Sequence, residues 1–248
     1  MDKGIQIIPM ARLVLAFIPA FVVVGILYRW SLGHRNALYA ISRMLVQLML
    51  IGYFLSYIFQ SKSGWVVLAV LAVMVFISSW IALRTIQEQR RLLYTRALCS
   101  ILLGGGTTLV LITQGVLDLK PWYWANYVIP LAGMIFANAM NSVSLAADRM
   151  AAEIIRDAPY EQARNIAFRA SLIPITNSLF AVGLVSLPGM MTGQILSGVS
   201  PLIAARYQIM VMCMVFGAAG ISSACFLTLS RPLFLRRDER NLSAVQEQ

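Results

Sequence analysis

The side chains in this sequence that could do chemistry are few, and they form no recognised catalytic set. His34 is the single histidine, and one histidine cannot supply both a catalytic triad and a metal site. The sequence contains no G-x-S-x-G, H-E-x-x-H or Walker A motif. Its long apolar stretches hold no histidine and no acidic residue, which leaves few groups for proton transfer. An enzyme that works inside a membrane is therefore the least favoured class.

Two groups of polar residues interrupt the apolar stretches. Arg43 and Gln47 are four residues apart and share one helical face. Asn138 and Asn141 begin a polar strip that continues into nearby serines. Polar side chains in lipid usually face protein or a water-filled path, so these four are candidates for lining a substrate path. Two alternatives stay open, because Arg43 can reach the headgroups and the asparagines can hydrogen-bond between helices.

A charged stretch at 148–170 carries four arginines and four acids. It is predicted as two helical pieces divided at Pro159, since proline is tolerated in the first turn of a helix. Glu161 and Arg164 are three residues apart and can meet on a helical surface. The stretch is either a solvated connector or the part of the chain that a cytoplasmic motor subunit would grip, with these two residues as contacts.

A second unusual stretch, 187–198, is rich in glycine, apolar and uncharged. Irregular backbone at membrane depth is tolerated only where it is buried in protein or lines a cavity, so a re-entrant or gating segment is predicted here. Its adjacent thioethers could contact a soft metal ion, although methionine is more often a packing residue. The candidate residues of this segment are Pro188, Gly189, Met190, Met191, Gly193 and Gln194.

The elements that must position these residues are membrane-spanning helices. Of the 248 residues, 59% are hydrophobic and 12% are charged, whereas soluble chains average about 45–50% and about 25%. A helix needs about 20 apolar residues to cross the hydrocarbon core. The spacing of charges predicts an all-α, polytopic transmembrane helix bundle that forms a single domain over 1–248. Its seven predicted spans lie near 9–28, 38–59, 65–83, 98–117, 126–147, 171–187 and 207–230.

The basic residues predict the orientation of this bundle. With seven spans, fourteen Lys and Arg side chains fall on one side of the membrane and four on the other. Loops rich in Lys and Arg stay in the cytoplasm, so the amino terminus is predicted outside and the tail at 231–248 inside. The net charge of +10 is thus a mark of topology, and nucleic acid is not expected as a partner. The three cysteines fall within predicted spans and are interpreted as packing residues.

Four motifs together resemble the FetB family, which comprises membrane permease subunits of ABC transporters proposed to export iron. The most specific of them is the long stretch 183–195, which resembles the family signature. Other stretches resemble the second helix, the fifth helix and the segment that leads into the signature: Arg43-x-x-x-Gln47, Pro130-Leu131-Ala132-Gly133-Met134 with Asn138-Ala139-Met140, and Leu172-Ile173-Pro174, with Tyr207-Gln208-Ile209 downstream.

The resemblance implies a multi-pass protein of the inner membrane that exports iron or another metal ion. It further implies a homodimer of permeases bound to a separate cytoplasmic ATPase subunit, which performs the ATP hydrolysis. No cofactor is expected in this chain, and the residues do not identify a metal-binding site. The alternative is a non-transporting scaffold or regulatory subunit, or a channel that needs no motor.

Overall fold

The computed structural model describes residues 9–60, 63–86 and 90–246, with side chains as far as 234. The described residues form eight helices and no extended strand, which confirms the all-α prediction. The ends of the predicted single domain, 1–8 and 247–248, and most side chains of the predicted tail lie outside the described residues. The helices are α1 Ala11–Arg29, α2 His34–Gln60, α3 Gly64–Ala82, α4 Arg90–Val116, α5 Ala125–Ile155, α6 Tyr160–Ala181, α7 Gly189–Leu196 and α8 Pro201–Gln246.

The chain divides into two compact units, Met1–Ser61 and Lys62–Gln248. The first unit contains α1 and α2, joined by a tight turn in which Ser31 and Gly33 both have a φ of 58°. The rings of Tyr28 and His34 meet edge to face across this turn, with centroids 5.0 Å apart. Most described apolar side chains of this unit are exposed, as expected for helices solvated by lipid.

Six helices in the described part of the chain are long and apolar enough to cross a membrane: α1, α2, α3, α4, α5 and the apolar part of α8, Pro201–Phe234. They account for all but one of the predicted spans. The exception is 171–187, which belongs to α6. That helix begins at Tyr160 within the charged stretch and ends at Ala181, six residues earlier than predicted.

The early end of α6 has a local cause. Val182 adopts an extended conformation, and Gly183 has a φ of 83°, a left-handed conformation that glycine tolerates best. The turn closes when the amide of Gly183 donates to the carbonyl of Ser186, 3.0 Å away. Pro188 immediately precedes α7, which begins at Gly189.

The second unit is built around α5, which packs against α3, α6 and α8. Small residues allow the helices to approach closely. A methyl group added to Gly104 would lie 2.5 Å from the backbone nitrogen of Ser222 in α8, and one added to Gly105 would lie 2.9 Å from the ring of Phe136 in α5. The glycine run in α4 therefore serves close helix packing.

The charged stretch at 148–170 forms a corner between two long helices. Its first half continues α5 as far as Ile155, and its second half is the first part of α6. The division at Pro159 is confirmed, because this residue immediately precedes α6. Glu153, which is only 6% exposed, pairs with Arg149 at 2.7 Å and with Arg156 at 3.3 Å.

Candidate functional site

A cavity of about 200 Å³ opens where α5, α7 and α8 meet. It is called the signature cavity here, because α7 belongs to the family-like stretch 183–195. Two of its ten lining residues, Met190 and Gln194, come from that stretch. The others are Leu117 after α4, Asn126, Tyr127, Pro130, Leu131 and Met134 in α5, and Tyr207 and Met210 in α8.

Helical spacing explains why these side chains converge. Met190 and Gln194 are four residues apart on α7, so both project from one face. Tyr207 and Met210 are three apart on α8 and share a face for the same reason. On α5, Pro130 and Met134 are also four apart. Three short helical stripes therefore surround one cavity.

The lining is soft and uncharged. Three of its side chains are thioethers, from Met134, Met190 and Met210. Asn126 and Gln194 add carboxamides, and two tyrosines add phenols. None of the ten lining residues is a carboxylate, an imidazole, a thiol or a formal cation. Chemically, the cavity can hold a ligand by dispersion, by thioether contact and by a few oriented dipoles.

Gln194 carries the most informative atom of the cavity. Its Oε1 is buried and has no hydrogen-bond partner among the described residues. A buried acceptor without a partner costs about 1–3 kcal/mol. Gln194 therefore has an unused acceptor, and a rotation of its side chain would present that oxygen to a cation or donor in the cavity.

Proline adds a second acceptor near the same place. Pro130 lies inside α5 and has no amide hydrogen, so the carbonyl of Asn126, four residues earlier, lacks its usual helical donor. Both residues line the cavity. Such freed carbonyls are tolerated in membrane helices where another group satisfies them.

The other predicted residues of the signature segment do not line the cavity. Pro188 flanks α7, and its carbonyl accepts a hydrogen bond from Oγ1 of Thr192 at 3.1 Å. Met191 is half-buried but does not line the cavity. Gly189 and Gly193 are exposed, with open space where a side chain would begin. The predicted gating segment is thus an eight-residue helix rather than irregular backbone.

The predicted path residues of α5 lie one and two turns beyond the cavity. Asn138 donates from Nδ2 to the carbonyl of Met134 at 2.8 Å, so its amide is used within its own helix. Asn141 is exposed. Ser142, which directly follows Asn141, is buried and donates to the carbonyl of Ser171 in α6 at 3.1 Å. The polar strip therefore makes an interhelical hydrogen bond, through a serine rather than through an asparagine.

Arg43 and Gln47 belong to the first unit, on α2. Both side chains are exposed. With the amide oriented so that its oxygen faces the guanidinium, Gln47 accepts hydrogen bonds from Arg43 at 3.0 and 3.3 Å. The predicted pairing on one helical face is therefore present, whereas their part in a path stays a prediction.

At the corner between α5 and α6, the two predicted motor contacts do not pair with each other. Arg164 instead donates to Oδ1 of its neighbour Asn165, at 3.1 and 3.2 Å. Glu161 is exposed. Arg164 and Asn165 also line a second cavity, of about 220 Å³, between α6 and α8, together with Phe168, Ala224, Leu227 and Thr228.

Two hydrogen bonds fix α8 to its neighbours, one from the start of α6 at this corner and one from α4. The hydroxyl of Tyr160 donates to the carbonyl of Leu227 at 2.6 Å, and Nε of Arg96 donates to the carbonyl of Leu229 at 2.8 Å. Burial raises the pKa of Tyr160 above its ordinary value of 10.0, against the opposing effect of nearby Arg164 and Arg231. The phenol therefore remains a donor at neutral pH. These two bonds and their residues are called the α8 latch.

Sequence reasoning found only part of the signature cavity. It selected Met190 and Gln194 but omitted their partners in α5 and α8. Met134 and Tyr207 lie within the motifs 130–134 and 207–209 that resemble the FetB family, so the sequence contains a signal for both residues. Met210 carries no such signal, because it is one of several methionines in an apolar helix.

Comparison with known proteins identifies the family. The model of the Uncharacterised protein family UPF0014 matches residues 10–234, which is most of the chain. This chain belongs to the UPF0014 family. The resemblance drawn from the motifs is thereby confirmed, because FetB of Escherichia coli, named "Probable iron export permease protein FetB", is 35% identical over 212 residues, covering 78% of this chain and 80% of FetB.

Similar proteins also occur in Synechocystis and Arabidopsis thaliana. "UPF0014 membrane protein slr1647" of Synechocystis is 41% identical over 196 residues, covering 72% of this chain and 74% of that protein. "Protein ALUMINUM SENSITIVE 3" of Arabidopsis thaliana is 36% identical over 217 residues, covering 81% and 77%. No solved structure matches this chain. The family and the six long apolar helices together establish a multi-pass membrane protein.

Proposed function

We propose that this UPF0014 protein is the membrane-spanning permease subunit of an ABC transporter that exports iron or another metal ion across the inner membrane. The similarity to FetB of Escherichia coli supports a permease. The observation that carries the proposal is the signature cavity, where the family-like α7 meets α5 and α8 inside a bundle of apolar helices. Transporters commonly build cargo sites where a helix is interrupted, and α7 follows the interruption between Ala181 and Gly189.

The proposed assembly contains two copies of this chain and two copies of a separate ATPase. The sequence has no Walker A motif, so we assign ATP hydrolysis to the partner. The corner between α5 and α6 is the proposed docking site, with Glu161 and Arg164 as contacts. Its exposed charges and the adjoining cavity lined by Arg164 support this assignment. Movement of the motor would then reach α8 through the α8 latch.

Charge reversal at the corner tests the docking site. The double variant Glu161→Lys with Arg164→Glu should reduce co-purification with the candidate ATPase by about tenfold, since it inverts the proposed charge complementarity. A matched control reverses Asp118 and Lys120, an exposed ion pair at 2.9 Å in a different loop. The control should co-purify normally. Equal co-purification of both variants would reject the docking site.

The transport function itself is tested with the assembled complex in lipid vesicles. A panel of metal ions is added, and both the ATPase rate and the ATP-dependent efflux of each ion are measured. At least one ion should raise the ATPase rate and leave the compartment only when ATP is present. Efflux that needs no ATP would instead support a channel, and an unresponsive ATPase would support a scaffold.

A further inference from the structure

The donor atoms of the signature cavity define a chemical class of cargo. Thioether sulfur is a soft ligand that favours soft metal ions, whereas hard ions favour carboxylates and water. Three methionines from three different helices, Met134, Met190 and Met210, line the cavity. Within the described residues, no group of three or more His, Cys, Asp or Glu residues could hold a metal. A hard, highly charged ion thus lacks suitable ligands here.

Electrostatics leads to the same class independently. No formally charged side chain lines the cavity, so a bare cation would enter without a counter-charge. The cost of burying an ion is several kcal/mol even after relaxation, and in a continuum it rises with the square of the charge. A singly charged ion therefore costs far less here than a doubly or triply charged one.

Oxygen acceptors complete the donor set. Oε1 of Gln194 is buried without a hydrogen-bond partner in the described part of the chain, and the Asn126 carbonyl lacks the donor that Pro130 cannot provide. Two oxygen dipoles can partly stabilise one positive charge. They would not compensate a doubly charged ion that has lost its water.

We propose that the signature cavity binds a soft, singly charged metal ion of the copper(I) class through the thioethers of Met134, Met190 and Met210, with Oε1 of Gln194 as an oxygen ligand. The idea that this ion is exported rests on the proposed function, but its binding does not. The three methionines are thus ligands rather than packing residues, and the rotation of α7 or α8 would open or close the set.

Binding is tested on the purified full-length chain without any ATPase. Silver(I) is the probe, because it shares the charge and softness of copper(I) and does not change oxidation state during the assay. The cysteines Cys99, Cys213 and Cys225 are free, and none lines the cavity. They are replaced by serine to remove competing thiols. Bound silver is measured by equilibrium dialysis and elemental analysis.

The expected result is saturable binding that depends on the cavity methionines. Met190→Leu and Met210→Leu should each weaken silver binding by about tenfold or more, because each removes one ligand. Leucine is close in volume to methionine, so folding should be retained, which size-exclusion chromatography checks. Met191→Leu is the matched control, since Met191 neighbours Met190 but lies off the cavity, and it should bind silver normally. Zinc(II) and iron(II) should not displace the silver.

The outcomes separate this inference from the proposed function. Silver binding that is absent, or unchanged in Met190→Leu, or reduced equally in Met191→Leu, overturns the thioether site. If silver does not bind but another ion still stimulates the ATPase of the complex, the permease proposal stands with a different cargo. If silver binds as expected but no ATPase couples to the chain, the site stands and the ABC assignment fails.

Discussion

At the residue scale, replacing Gln194 separates an effect on stability from an effect on function. Replacing Gln194 with Leu removes an acceptor that has no partner in the described structure, so the protein should become more stable by about 1–2 kcal/mol. The same change removes an oxygen from the proposed cargo site, so stimulation of the ATPase by cargo should fall. Unfolding in detergent and cargo-dependent ATPase activity measure the two effects.

Gln208 provides the matched control for this residue. It is 5% exposed and its Oε1 also lacks a partner in the described chain, but it does not line the signature cavity. Gln208→Leu should therefore stabilise the fold and leave the cargo response unchanged. A cargo response that falls equally in both variants would show that Gln194 acts through packing, and its role as a ligand would be rejected.

The residues of the signature cavity also indicate what sequence can predict about a membrane site. Met190 and Gln194 were found because a glycine-rich, uncharged stretch is unusual between apolar helices. Asn138 is a candidate because amides are conspicuous in apolar sequence, yet the amide of Asn138 bonds to its own helix. The direction of a side chain depends on helix rotation, which tertiary packing decides. The sequence of an almost uniformly apolar helix contains little information about its rotation.

At the scale of the element, the α8 latch connects the corner between α5 and α6 to the helix that contributes Tyr207 and Met210 to the signature cavity. Tyr160→Phe keeps the buried ring but removes the donor to the Leu227 carbonyl, and should destabilise the protein by about 1 kcal/mol. Because the latch joins the proposed docking site to α8, the variant should also lower transport more than ATPase activity. Parallel measurements of ATP hydrolysis and efflux give this ratio.

Tyr94 offers a control with the same chemistry at another place. Its hydroxyl donates to the carbonyl of Phe76 in α3 at 3.3 Å, away from the corner. Tyr94→Phe should leave the ratio of efflux to hydrolysis unchanged. An unchanged ratio in Tyr160→Phe as well would mean that the latch is structural and does not transmit motion.

Helix boundaries explain why one predicted span, 171–187, does not form a long apolar helix in the described structure. Six spans could be predicted because about 20 apolar residues between charges have no other stable arrangement in lipid. The segment at 171–187 met the length criterion only narrowly. Its end depends on the local turn at Gly183, and its beginning depends on continuity with the charged residues of α6. Neither feature follows from hydropathy.

At the scale of the whole molecule, α6 and α7 determine on which side of the membrane the chain ends. Six crossings would place both termini on the same side, whereas the positive-inside pattern predicts an outside amino terminus and an inside carboxyl terminus. The six long apolar helices are compatible with this orientation if α6, the turn at 182–186 and α7 together make a seventh crossing. From residue 171 to Ala181 the helix rises only about 16 Å, at about 1.5 Å per residue, so α7 would complete the passage.

Labelling of single cysteines in intact cells tests this topology. On a cysteine-free background, Lys120→Cys should react with a reagent that does not cross the membrane, because the loop before α5 is predicted outside. Ala158→Cys, between α5 and α6, should react only after the membrane is permeabilised. Ser197→Cys, which is exposed after α7, decides the question. Labelling of Ser197→Cys from outside means that α6 and α7 cross together, while protection in intact cells would put 182–200 on the inner side, reduce the crossings to six and require a carboxyl terminus on the same side as the amino terminus.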